Sequence, residues 1–453
     1  MDVGDQQLQA ISFVKRSLKK LESFNIDTSL SCFCYFTSWS ETPGYAKLKN
    51  NIKGSLFLFQ FIKIILKNIL AISSHSNYVE FNSKGSQKAY KILVLSWAFK
   101  QNFQADGSFT DRYFNENSNN LPGAHWMLIS MDGYIPKNLN SNITLISNKK
   151  TFFKYDFFYL IKILISTIYN YKFSFRKIFH YFSYSSYFAK QISSIVKKEL
   201  KKSSYQSILI PYEAQPFQNN VFSEIKKFDN KIKTIGYLHS LLTPLTCELY
   251  YRSGAPDLLL VHGESQIEML KSKLDWPLQR LVLIESLRFR LNSNKSLENK
   301  IFIPLAIHNH KIYLSEFEKL LKNSSENSFP IFEIKNHPTM LNSIKHLNFK
   351  KNLEQLIQIY KNRFSEKSDK KNISIFFGVT TTVFEALEKK INVIHVCADP
   401  VFESYSEKIW PNLQVKKINK LIFQYKLSKT GKHIIFGTKE NNLNLVLNNV
   451  FDL

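Results

Sequence analysis

The stretch Ile373-Ser-Ile-Phe-Phe-Gly-Val-Thr-Thr-Thr-Val-Phe-Glu-Ala-Leu-Glu-Lys-Lys-Ile-Asn-Val-Ile-His-Val396 reads as strand, glycine turn, threonine cap, helix and strand. An apolar run rich in β-branched and aromatic residues precedes Gly378, and apolar residues at helical spacing follow from Thr382 to Lys390. That is one unit of a parallel α/β sheet. The same alternation extends in both directions. In the second half it predicts further strands at 301–307 and 331–335 and helices at 311–321 and 352–362. In the first half it predicts strands at 32–36, 91–97, 126–131, 207–211, 234–238, 258–261 and 281–284. Between Leu287 and Lys300 the chain turns polar and loses apolar periodicity, so the interdomain linker is expected there. The result is an acceptor-side α/β domain over 1–290, with aromatic and basic helical insertions, and a second α/β domain over 291–453. Both are Rossmann-like and face across a cleft at the carboxyl ends of their strands, where open α/β sheets bind ligands.

Length and composition agree with two cores. At 453 residues the chain exceeds the usual domain size, and 44% hydrophobic with 21% charged residues is a globular balance rather than a disordered one. A net charge of +25 raises nucleic acid as a partner. Only eight of the 61 basic residues are arginine, whereas nucleic-acid readers favour the planar guanidinium, so nucleic acid is argued against. An anionic nucleotide substrate and an anionic membrane surface both remain compatible. Cys32, Cys34, Cys247 and Cys397 form no ligand-spaced pair, and the polar residues 1–20 lack the core of a signal peptide. A reducing cytoplasm is expected, with peripheral attachment to the inner face of the plasma membrane as a further expectation. The apolar stretch Ser55 to Ile72 is interrupted by Lys63 and Lys67, which suits an amphipathic helix better than a span. Such a helix packs against the core or lies on an anionic membrane, and the Phe/Tyr/Lys-rich stretch 152–182 invites the same two readings.

Candidate site residues follow strands. In Phe332-Glu-Ile-Lys-Asn-His-Pro-Thr339 the strand ends on Lys335 and His337, with Pro338 fixing the chain direction. An imidazole at that edge can donate a hydrogen bond to a nucleotide phosphate, or a proton as the phosphate leaves; a locally satisfied strand-end histidine fits the same pattern. Thr380, Thr381 and Thr382 set hydroxyls beside the free N–H groups of a helix start, which attracts phosphate but also serves plain capping. Glu385, one turn on, can accept from ribose hydroxyls or close a capping box.

These motifs carry a resemblance. A Lys-x-His-Pro strand end followed by a Ser/Thr-rich helix start resembles the bacterial GT-B sialyltransferases and polysialyltransferases and related capsule sugar transferases that use CMP-activated acidic sugars. The resemblance implies that His337 contacts the donor phosphate and that Thr380 and Thr381 hold its phosphate side. Runs such as Pro211-Tyr-Glu-Ala-Gln-Pro-Phe217 and Tyr251-Arg-Ser-Gly-Ala-Pro-Asp257 are similar to bacterial surface-carbohydrate (O-antigen) biosynthesis proteins. The sialyltransferases also carry an acidic-acidic-Gly motif whose Asp deprotonates the acceptor. Ala105-Asp106-Gly107 resembles it with one acid missing, which makes Asp106 the first candidate base.

Asp111 is the second candidate base, and its neighbour Arg112 is a further acceptor-side candidate, with a structural ion pair between the two as the alternative. Asp106 itself also suits an Asp-Gly turn. Glu213, Gln215 and His239 follow strands and can bind acceptor hydroxyls or the sugar. Arg252 stands with Arg280, Arg288 and Arg290 near the domain crossover, where guanidinium groups suit phosphate, a sugar carboxylate or interdomain ion pairs. Together these features predict a GT-B-like, inverting glycosyltransferase of surface-polysaccharide synthesis. It would need no metal or cofactor and would join a nucleotide-sugar donor, CMP-linked and acidic by resemblance, to a glycan or lipid-linked glycan acceptor. Two other readings fit the sequence: transfer of another nucleotide-activated group, such as a hexose or polyol phosphate, and a non-catalytic assembly factor with a degenerate site.

Overall fold

The computed structural model describes residues 2–31, 33, 47–48, 50–51, 57–74, 78–82, 90–148, 183–290, 296–307, 309–366, 372–438 and 442–451. Apart from Phe33, the expected strand at 32–36 lies outside them, as does the aromatic stretch 152–182.

The first sheet holds eight strands. In chain order they are β1 (Tyr78–Asn82), β2 (Ile92–Ala98), β5 (Ala124–Ser130), β6 (Ile143–Asn148), β7 (Ser207–Pro211), β8 (Lys233–Tyr237), β9 (Leu258–Val261) and β10 (Leu281–Leu283); the short pair β3 (Thr110–Asp111) and β4 (Glu116–Asn117) lies apart. Their spatial order is β1-β6-β5-β2-β7-β8-β9-β10, all parallel except β1 against β6. The chain therefore winds outward from β2 through β5 and β6, returns to β7 beside β2, and winds the other way. The sheet reverses between β2 and β7, and the crevice beyond the carboxyl ends of those strands is where such a sheet binds ligands. Central strands such as β5 are buried along their whole length, which is why they read as continuous apolar runs.

The second sheet repeats the plan over β12 (Lys300–Phe302), β13 (Glu333–Lys335), β14 (Ile373–Phe377) and β15 (Asn392–Val396). The antiparallel β17 (Ile422–Leu427) and β16 (Leu413–Lys417) extend one edge, giving the order β13-β12-β14-β15-β17-β16. Its reversal falls between β12 and β14. The expected strand over 301–307 is shorter: Ile303 N still donates to Lys335 O at 2.9 Å, but Pro304 has no N–H with which to continue the ladder. The expected linker also differs: its start is β11 (Ser286–Arg290), which pairs with β18 (Phe436–Gly437), a partner too distant in sequence for local patterning to show.

Ten helices are described: α1 (Val3–Glu22), α2 (Phe57–Ser74), α3 (Tyr184–Leu200), α4 (Pro216–Phe228), α5 (Glu264–Leu274), α6 (His310–Lys322), α7 (Ile344–Ile359), α8 (Thr382–Glu388), α9 (Pro400–Glu403) and α10 (Leu443–Phe451). A cut at residue 290 separates the two sheets but not the packing. From α1, Gln7 Nε2 donates to Val401 O at 3.1 Å and Ser404 O at 2.7 Å in the second domain. At the other end of the chain, Leu443, Val446 and Leu447 of α10 join the first-domain core around Val94 and Trp126. A second apolar core joins both domains, with Phe384, Tyr405 and Trp410 packed in one cluster with Leu241, Leu242 and Met269. The two doubly wound sheets thus face each other across a cleft, the GT-B-like layout predicted from the sequence.

Candidate functional site

The first-domain wall of the cleft is built at its reversal point. Immediately after β7 the chain turns through Glu213, Ala214 and Gln215, with Ala214 in the left-handed region at φ 53°. A residue with a Cβ pays about 1–2 kcal/mol there, so the turn needs support. Gln218 supplies it: Oε1 accepts from Glu213 N at 2.9 Å and Gln215 N at 3.0 Å, and Nε2 donates to Pro211 O at 2.6 Å. Ala214 O accepts from Asn219 Nδ2 at 3.1 Å and from the Arg252 guanidinium at 3.0 Å. Arg252 also donates to Glu248 O and Tyr250 O and is 4% exposed. It is therefore a strut behind the wall: its Nη1 and Nη2 groups are bonded to carbonyls, while its buried Nε has no partner among the described residues.

The supported turn aims Glu213 at His239, whose Nε2 lies 3.2 Å from the carboxylate; the Glu213 side chain is 33% exposed and the His239 side chain 5%. Gln215 Nε2 donates to Glu213 at 3.0 Å and Ser240 Oγ at 3.3 Å. Enclosure alone would raise the pKa of Glu213, but the His239 contact, the Gln215 bond and the Arg288 charge outweigh it and hold the carboxyl well below its usual range. Burial first, then the charges of Arg288 and Arg112, keep His239 below the ordinary histidine pKa despite Glu213. The pair is thus a carboxylate beside a neutral ring at neutral pH. Nε2 then carries the proton given to Glu213, and Nδ1 is left as a buried acceptor with no partner among the described residues.

The loop after β2 brings in the cations. The Arg112 guanidinium lies 4.2 Å from the Phe99 ring centroid, directly beyond the end of β2, and donates to the Tyr113 hydroxyl at 3.0 Å. Tyr113 in turn meets the His239 ring edge-on at 4.4 Å. Asp111 shapes this turn from below. Fully buried, it accepts from Tyr113 N at 2.7 Å, Phe114 N at 2.8 Å and the Ser96 hydroxyl, and burial pushes its pKa up to about 6. Asp106 is not brought to this cluster. It is exposed, it accepts from Ser108 N at 2.9 Å, and Gly107 beside it (φ 85°) sits against Asn138 and Asn140. The Asp-Gly turn is the role the structure gives it. Arg288, on β11, donates to His239 O at 3.4 Å.

His337 arrives from the opposite domain. Thr339 N donates to its Nδ1 at 3.3 Å, with the Thr339 hydroxyl 2.8 Å away. A backbone N–H can only donate, so Nδ1 is the acceptor and the neutral ring carries its proton on Nε2. Burial, and then the charges of Arg112, His346 and Arg288, press its pKa down to about 4. The charges of two first-domain guanidinium groups are thus felt at this second-domain imidazole.

The other expected donor-side residues are distributed around the second reversal point. Gly378 (φ 57°) turns the chain where an added Cβ would lie 2.6 Å from the Tyr313 hydroxyl, so only glycine fits. Thr380 Oγ1 accepts from Thr382 N at 3.3 Å, the capping role, while Thr381 and Thr382 are half-buried. The Tyr405 hydroxyl stands 3.2 Å from both Thr380 O and Leu242 O, tying this turn to the first domain. Lys335 pairs with Glu333, and Glu385 is engaged by Lys389 at 3.0 Å within its own helix.

Tyr113, Arg288 and Glu248 belong to the site or its lining without having been chosen as site residues from sequence. Burial, reinforced by nearby Glu213, raises Glu248 to about 7, with Thr243 Oγ1 donating to it at 3.2 Å. Arginine scarcity drew attention to Arg288, but no sequence pattern separates a buried Glu248 from a solvated one. Among the described residues, no three His, Cys, Asp or Glu side chains gather as a metal-ligand set.

No model of a known protein family matches this chain, and no curated protein matches it. Among solved structures it is similar to an α,α-trehalose 6-phosphate synthase from Burkholderia multivorans, with 11% identity over 62% of this chain and 70% of that one and a TM-score of 0.34. It is also similar to a sucrose-phosphate synthase from Thermosynechococcus elongatus, with 12% identity over 67% and 81% and a TM-score of 0.34. The lipopolysaccharide outer core galactosyltransferase WaaB in its apo form gives 9% identity over 66% and 71% and a TM-score of 0.30. The functional reading rests on the chain's own residues.

Proposed function

We propose that this protein is an inverting glycosyltransferase whose donor is a nucleotide-activated sugar. The observation that carries the reading is that Arg112 and Arg288 of one domain lie near enough to His337 of the other for their charges to lower its pKa, while its Nδ1 is taken by Thr339 N and its Nε2 carries the proton. Charge-assisted donors converging from two domains suit a phosphate that must be gripped in the ground state and stabilised as its charge grows on leaving. Lys335 and the Thr380–Thr382 turn would extend that grip. On the acceptor side the base is the Glu213–His239 pair: the Glu213 carboxylate, 33% exposed, meets the acceptor hydroxyl, and His239, whose Nδ1 is buried, serves as the positioning residue. Acceptor hydroxyl oxygen attacks the anomeric carbon, Glu213 takes the hydroxyl proton, and the bond to the departing phosphate breaks with its charge left in the cationic grip.

The motif resemblance supports a CMP-linked acidic sugar, transferred to a glycan or lipid-linked glycan of the cell surface on the cytoplasmic side. Purified protein should be incubated with CMP-, UDP- and GDP-sugars, with and without EDTA, and transfer and binding followed. Binding to a CMP-sugar that persists in EDTA and is lost in Arg288→Gln supports the reading. Metal-dependent binding to UDP-sugars alone overturns the donor and the metal-independence, and failure to bind any nucleotide-sugar overturns the function.

A further inference from the structure

The helix α2 has the wrong outer face for a surface helix. Ile64, Asn68 and Ile72 are buried: Asn68 Oδ1 accepts from Tyr184 N at 3.0 Å at the start of α3, and Ile72 packs on Tyr187. The opposite side should then be polar. Instead Leu58 is 65%, Phe59 76%, Ile62 49%, Leu66 55% and Leu70 66% exposed. Leu58, Ile62, Leu66 and Leu70 repeat every fourth residue and so form one stripe along about 18 Å of helix. Lys63 and Lys67, also exposed, border the stripe, and the helix contains no acidic residue.

We propose that this outward face of α2 docks on an anionic lipid bilayer. A helix that is apolar outward and lysine-bordered sinks its stripe to the level of the acyl chains, while the lysines meet the headgroup charge. The helix lies in the plane of the membrane rather than across it, since its other face is occupied by α3; among the described residues no helix is long and apolar enough to span. A second copy of the chain is the weaker occupant. Pairing two such faces would bring Lys63 and Lys67 of both copies together in chains that each carry a net charge of +25. The proposal deepens the transferase reading, since a lipid-linked acceptor would be met at that surface, but vesicle binding is measured without any sugar donor.

The test is co-sedimentation of the full chain with vesicles of mixed phosphatidylglycerol and phosphatidylcholine, against phosphatidylcholine alone. The expected result is binding to the mixed vesicles that weakens with salt, and a loss of about tenfold or more in partitioning for Phe59→Ser/Leu66→Ser. Lys63→Glu should weaken binding to the mixed vesicles and leave the weak association with phosphatidylcholine unchanged. Leu58→Ser/Ile62→Ser guards against a fold effect in the first pair, and unchanged near-UV circular dichroism confirms folding. Wild-type protein that stays in the supernatant with mixed vesicles overturns the proposal, as do serine variants that bind like the wild type. A wild-type dimer that Phe59→Ser/Leu66→Ser splits, with vesicle binding unaltered, assigns the face to a second copy instead. Nucleotide-sugar binding in the same preparations separates failure of the docking surface from failure of the transferase reading.

Discussion

Protonation of His337 should couple to donor binding, and the size of the coupling can be worked from its surroundings. In the free protein its pKa is about 4, against 6.5 for an ordinary histidine, because burial and the charges of Arg112, His346 and Arg288 oppose a further cation. The folded state therefore holds fewer protons than the unfolded chain between pH 6.5 and 4, and His337 makes stability fall as pH drops through that window. A phosphate placed among these groups reverses the sign of the field. If the bound pKa returns to 6.5, the shift of about 2.5 units corresponds to binding about 100-fold tighter at pH 4, and about 20-fold tighter at pH 5, than at pH 7. Water around a partly exposed ring reduces the change between pH 7 and pH 5 to about fivefold. The assay is calorimetric titration with a nucleotide-sugar, whose phosphodiester does not titrate in the window, at pH 7.0, 6.0 and 5.0 in buffers of different ionisation heat. Binding should tighten toward pH 5 with proton uptake in the wild type, and His337→Gln should lose both effects. Wild-type affinity constant within about twofold from pH 7 to pH 5, or the same pH dependence in His337→Gln, refutes the reasoning.

Arg288→Gln should weaken nucleotide-sugar binding by about 10- to 100-fold, the worth of a hydrogen bond to a charged group, and raise the free-state pKa of His337 in an NMR titration by removing one of its three cationic neighbours. Glu213→Gln should lower kcat by about 100-fold or more with a smaller effect on KM, His239→Ala should alter the pH profile of kcat, and Asp106→Ala should stay within about threefold of wild type in the same assay. Ala214→Gly should stabilise the protein by about 0.5–1 kcal/mol in urea unfolding by relieving the left-handed backbone, while the looser Glu213 turn lowers activity. Gly378→Ala should do the reverse and destabilise by about 1–3 kcal/mol, because the new methyl meets the Tyr313 hydroxyl.

The fold was legible where strands are buried on both faces. β2, β7, β14 and β15 appear in sequence as apolar runs followed by turns, and the structure places them within a residue or two of the expected bounds. What escaped was set by partners far along the chain. Ser286–Arg290 looks like linker because its pairing strand arrives at Phe436, and β1 is held only against β6 at an edge. The added edge pair β16 and β17 likewise lies beyond the last helix-strand repeat, where local pattern no longer announces a sheet.

The site divides along the same line. His337 and Glu213 were visible because each follows a strand end, a position that topology alone makes important. Which residue of a loop reaches the cleft is another matter. Asp106 and Arg112 share the loop after β2; the Asp-Gly pair closes a turn against Asn138 and Asn140, while buried Asp111 binds the backbone of Tyr113 and Phe114 and so turns Arg112 over Phe99. Motif resemblance pointed to the acid, and packing brought forward the base beside it. Arg252 makes the converse case: four neighbouring arginines suggested one anion site, yet Arg252 is 4% exposed with Nη1 and Nη2 bonded to three carbonyls, while Arg288 is exposed and makes one long bond to His239 O. An arginine's reach toward a ligand is decided by burial, and only the folded chain reveals that.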